Sequence, residues 1–112
     1  MKRICVLFLG FVVAGCVKPM AHYRTLPPTV SYVTAKTAEQ SMRCLATAFE
    51  GVPVMPQLAP SGDGWTFNWP DVDNRMFVDV QPVDGGARVD FHRHGITYVG
   101  GNFREAVESC RD

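Results

Sequence analysis

The feature that most constrains the fold is a pair of alternating segments joined by glycines. Met76, Val78 and Val80 alternate with Phe77, Asp79 and Gln81, and Val89 and Phe91 alternate with Arg88, Asp90 and His92. Successive side chains of a strand point to opposite faces, so each segment reads as a strand with one apolar face. Asp84-Gly85-Gly86 lies between them and supplies the positive-φ positions a tight hairpin needs. A β-hairpin is marginal by itself and must bury its apolar face against further elements.

Those elements are legible on both sides. Thr37 is a plausible N-cap, and Gln40 three residues later completes a capping box for a helix from Ala38 to about Glu50. Met42, Leu45 and Phe49 recur at helical spacing, with Cys44 and Ala48 beside the stripe. Gly51 is placed to end this helix in a left-handed conformation, and Pro53 forbids its continuation. Val52 to Met55 reads as a short edge segment. After the turn Ser61-Gly62-Asp63-Gly64, Trp65, Phe67 and Trp69 alternate with Thr66 and Asn68, a strand with an aromatic face. Pro70 to Asn74 is a polar loop. Gly95 interrupts the pattern, and Ile96 to Val99 extends the sheet or forms a fourth strand before the turn at Gly100-Gly101. Asn102 is a candidate N-cap for a last helix, in which Phe103, Ala106, Val107 and Cys110 share one apolar face. The fold expected is α+β: an N-terminal helix, an antiparallel meander of three to four strands and a C-terminal helix, with both helices on one sheet face.

The start of the chain has a different character. Lys2 and Arg3 precede the apolar run Ile4 to Val13, and Val13-Ala14-Gly15-Cys16 supplies small residues ending on a cysteine. The uncharged stretch Ile4 to Val17 has 14 residues, whereas a spanning helix needs about 20. A basic start, a short apolar run and a small-residue end are the marks of an export signal. This segment resembles a bacterial lipoprotein signal peptide with its lipobox. The resemblance implies cleavage before Cys16, a diacylglyceryl group on its sulfur and frequently an N-acyl chain, which together anchor the protein stably in a membrane. Cys5 falls in the discarded part. Val17, rather than aspartate, after the cysteine implies sorting to the outer membrane of a Gram-negative cell, facing the periplasm.

On that reading the chain divides into residues 1–15 as signal peptide, 16–34 as a tether and 35–112 as a small α+β domain. Pro19, Pro27 and Pro28 stiffen the tether, which would lift the domain off the membrane. Tyr23, Leu26, Val30, Tyr32 and Val33 suggest that its later part packs as an extended strand. Cys16 to Asp112 is 97 residues, with nine Lys and Arg against eleven Asp and Glu, a formal net charge of −2. There is no basic excess to attract nucleic acid. The element order from Thr37 to Phe91 also resembles that of the small outer-membrane lipoprotein that assists the β-barrel assembly machine. The second helix of that family's pair is missing here, and the terminal helix has no counterpart there.

With Cys16 taken by lipid, Cys44 and Cys110 remain. In an exported protein two such cysteines point to a single disulfide; the alternatives are two buried thiols or a metal pair. Both lie on or beside apolar helical stripes, so a bridge would staple the two helices together.

Candidate chemistry is sparse. His92 and His94 fall on one strand face with Arg88 and Asp90 and want a third ligand, for which His22, Asp79 and Asp90 are the candidates; a solvated polar face is the plainer reading. Asp71, Asp73 and Asp79 lack the glycine and glutamate of a calcium loop. No serine has a nucleophile-elbow context, Cys44 and Cys110 read as core, and no phosphate loop is present. No cofactor is expected and no metal. Trp65, Phe67 and Trp69 read as core. Phe77 faces the other way, toward Asp79 and Gln81, and is expected on the sheet face that the helices leave open. The functional expectation is a lipid-anchored, non-catalytic cell-envelope protein that docks another envelope component through Phe77, Asp79 and Gln81, flanked by His92 and His94. The alternative is a small metal-binding or enzymatic periplasmic module using His92 and His94.

Overall fold

The computed structural model describes residues 18–95 and 102–112. The signal segment with Cys16, and the positions Ile96 to Gly101, lie outside the described residues. Among those described, the chain runs α1 (Met20–Arg24), β1 (Val30–Thr34), α2 (Ala38–Ala48), β2 (Gln57–Ser61), β3 (Gly64–Asn68), β4 (Met76–Val83), β5 (Gly86–Arg93) and α3 (Phe103–Glu108), with 3₁₀ turns at Phe49–Gly51 and Pro70–Val72. The strands form one antiparallel sheet in the order β1-β5-β4-β3-β2. The α+β fold is as expected, with five strands where three to four were expected: β2 to β5 form the meander and β1 adds to its β5 edge.

The hairpin β4–β5 is the spine. Val83 pairs with Gly86, so Asp84 and Gly85 form the connection, and Gly85 carries a φ of 82°. Cross-strand register puts Val78 opposite Phe91 and Val80 opposite Val89, all buried and on the helix side. Gly64, opening β3, lies against the β4 backbone so closely that a Cβ there would stand 1.8 Å from the Val80 carbonyl oxygen.

β1 comes from the segment expected to be tether. Val30, Tyr32 and Thr34 are buried while Ser31 and Val33 are exposed, and the strand pairs with β5 along its length. The extended-strand signal in Val30 to Val33 therefore marks an integral edge of the sheet, and the domain begins well before residue 35. At the other edge, the expected segment Val52 to Met55 is loop. The strand starts at Gln57 and carries Pro60, whose missing N–H is tolerated at an edge.

α2 and α3 pack on one face. The Thr37 cap forms as the pattern predicts: its Oγ accepts from the Gln40 N–H at 3.1 Å, and its own N–H donates to Gln40 Oε1 at 2.9 Å. The helix does not end on a left-handed Gly51; it tightens into the 3₁₀ turn Phe49–Gly51, and Gly51 has no positive φ. Asn102 makes no side-chain capping bond to α3. Phe49 meets Phe67 and Trp69 edge-on, with centroids 5.1 and 5.0 Å apart, and Trp69 meets Phe103 in the same way at 5.5 Å. Edge-to-face pairs of this kind add to the burial of their area. Trp65 packs at the margin of this core. Cys44 and Cys110 form a disulfide across α2 and the end of α3, Cα atoms 5.8 Å apart and 66 residues apart in sequence. Tyr32 on β1 donates its hydroxyl to the Val107 carbonyl at 2.7 Å, and burial pushes its pKa up to about 12. Lys36 donates to the carbonyl oxygens of Cys110 and Asp112, holding the C-terminus down.

Candidate functional site: the second sheet face

The face away from α2 and α3 carries Phe77 and Asp79 of β4 opposite His92 and Asp90 of β5, with Gln81 opposite Arg88. Two carboxylates directly opposite each other repel. Here each has its own partner. Asp90 accepts from the Ser31 hydroxyl at 2.5 Å. Asp79 is gripped by Arg24, whose Nε and Nη2 each lie 2.8 Å from one carboxylate oxygen, and it also accepts from Thr66 Oγ1 at 2.7 Å. The bidentate fork is the strong form of such a pair. Its carboxylate end is well shielded, at 13 % exposure against 36 % for Arg24.

Arg24 ends α1, and α1 lies across this face. The guanidinium carbon sits 5.2 Å from the centre of the Phe77 ring, within cation–π range. The other side of the network is the stack of Phe77 on His92, centroids 4.6 Å apart and planes 15° apart. Phe77 is thereby fully buried, at 0 % exposure. The expectation that it stands open as a docking aromatic is not met: the chain's own N-terminal segment occupies the place. Gln81 is also engaged, donating from Nε2 to the Ser61 carbonyl at 3.0 Å.

His92 and His94 come together as their spacing predicts. Nδ1 of His92 and Nε2 of His94 are 3.0 Å apart, so one nitrogen donates and the other accepts. Tyr23 of α1 stacks on His94 at 5.5 Å, and His22 meets Tyr23 edge-on at 5.1 Å. Burial lowers the His92 pKa below its usual 6.5, and His94 lowers it further; Asp79 and Asp90 act the other way. The His94 pKa is lowered by burial and then by His22. Of the candidate third ligands, Asp79 is committed to Arg24 and Asp90 to Ser31. Among the described residues no group of three or more His, Cys, Asp or Glu is arranged to hold a metal ion.

Arg24 is the residue that sequence reasoning missed. It lies in a proline-bearing stretch with no apolar periodicity, and its partner is 55 residues away. Tyr23 beside it was the available signal that this stretch packs.

No family model, curated protein or solved structure matches the chain. Among the described residues, no helix is long and apolar enough to cross a membrane.

Proposed function

We propose that this protein is a lipid-anchored component of the bacterial cell envelope, on the outer membrane and facing the periplasm, whose folded part binds another envelope component without catalysing a reaction. The observation that carries this reading is the order of the first sixteen residues: a basic start, a short apolar run, and Val13-Ala14-Gly15-Cys16. The disulfide between Cys44 and Cys110 supports it, because such bonds persist in oxidising compartments. The polar groups of the second sheet face are held in internal bonds, which counts against a reactive site there. Asp79, Asp90 and Gln81 are each engaged in an internal hydrogen bond, and His92 and His94 bond to each other. A partner using this face would meet Val33 and Arg88, which remain exposed beside the covered part.

The test is Cys16→Ser, followed by membrane fractionation and mass spectrometry of the mature chain. Release from the membrane fraction, or accumulation of unprocessed precursor, is the expected result. A variant that fractionates and matures like the parent overturns the anchor.

A further inference from the structure

We propose that the loop from Val52 to Pro56, with the adjoining start of β2, rests on the lipid bilayer that holds Cys16, so that the domain stands on one end of its sheet. This rests on the lipid-anchor reading above and adds an orientation and a contact surface to it.

The argument starts from where the chain enters the fold. The Lys18 carbonyl accepts from Asn74 Nδ2 at 3.4 Å, so the chain is already against the domain at residue 18. Asn74 lies in the β3–β4 connection. Cys16 is two residues before Lys18, and two residues of chain reach at most about 7 Å, so an anchor attached there has a short leash to that connection. A lipid on its sulfur then brings this end of the sheet to the membrane surface. The expected stiff tether does not stand between them, because α1 and β1 are folded onto the sheet.

The same end of the sheet is defined by register. β2 begins at Gln57 opposite Asn68, where β3 ends; β4 begins at Met76 opposite Arg93, where β5 ends. The Val52–Pro56 loop leads into Gln57 and is tied to this end by the Trp69 indole, which donates to the Val54 carbonyl at 2.8 Å. It carries apolar side chains that the fold leaves in solvent: Val54 at 41 % and Met55 at 58 % exposure, with Leu58 on β2 at 44 %. These are half of the large apolar residues exposed among the described positions, and they are adjacent in one segment. Exposed apolar side chains clustered in this way mark contact sites. The charges nearby are mixed: Lys18, Arg75 and Arg93 against Glu50, Asp71 and Asp73. The contact is accordingly apolar, with side chains entering the headgroup boundary as the apolar face of an interfacial segment does. The turns at Ser61–Gly64 and Val83–Gly86 and the C-terminus lie toward the other end.

The experiment uses the lipidated protein purified from membranes. Because Cys44 and Cys110 are bonded and Cys16 is blocked by lipid, a cysteine introduced by Met55→Cys or Leu58→Cys is the one reactive thiol; Asp63→Cys, in the β2–β3 turn, is the distal control. Each is labelled with an environment-sensitive nitrobenzoxadiazole dye and reconstituted into phosphatidylcholine vesicles with brominated acyl chains. Quenching at positions 55 and 58 should exceed that at 63 several-fold. Lipid confirmed at Cys16 with equal quenching at all three positions, or stronger quenching at 63, overturns the contact and leaves the anchor standing. A chain whose mass shows no lipid at Cys16 overturns both.

Discussion

Arg24 holds both carboxylate oxygens of Asp79 at 2.8 Å while its guanidinium covers the ring of Phe77. One residue of the N-terminal segment thus relieves the repulsion between Asp79 and Asp90 and covers Phe77 on the second face of the sheet. Removing the guanidinium leaves a shielded carboxylate facing another. Arg24→Ala should cost about 1–2 kcal/mol, the range for hydrogen bonds to charged groups reduced for the half-exposed arginine. In a double-mutant cycle with Asp79→Asn, read by urea denaturation, the two losses should be less than additive. Full additivity would mean that the pair is not coupled.

Phe77 should behave as a core residue although it faces away from α2 and α3. Its ring lies between Arg24 and His92 with no exposure. Phe77→Ala should lower stability by about 3 kcal/mol, the lower end for truncating a buried phenylalanine, because the covering layer is thin and can collapse. A melting temperature unchanged from the parent would show that α1 does not hold its place over the ring in solution.

The disulfide closes a long loop and ties α2 to the end of α3. Cys44→Ala and Cys110→Ala should each cost about 2–5 kcal/mol, as is usual for small secreted domains. The two variants should be equally destabilised, and the double variant no more so than either. Thiol labelling of the unfolded, non-reduced protein checks the bond directly: two reactive thiols besides Cys16 would refute it.

Stability should fall on acidification. His92 and His94 both have lowered pKa values in the folded protein, so the unfolded chain binds protons first. Stability is then fully present above the ordinary histidine value of 6.5 and is lost as the pH falls through the lowered folded values. When both rings are doubly protonated, neither can accept the bond that now joins them. Thermal melts between pH 7.5 and 4.5 should show this slope, and His92→Gln with His94→Gln should flatten it. An unchanged slope in that double variant would assign the effect to other groups.

The sequence by itself determined the local elements: the hairpin around Gly85, the capped α2, the aromatic β3 and the apolar face of α3. Each follows from periodicity or a cap within a dozen residues, where backbone geometry and side-chain spacing act directly. Pairing Cys44 with Cys110 was also legible, because both sit on stripes that must face the same core. The tertiary structure alone decided the fate of residues 20–34. Val30 to Val33 carried a strand signal, but nothing local says that this strand pairs with β5. Arg24 has no pattern at all until Asp79, Phe77 and Thr66 are brought beneath it by strand register. A sheet with apolar groups on both faces needs cover on both, and which segment supplies the second cover is a matter of shape and charge between residues 55 apart in the chain.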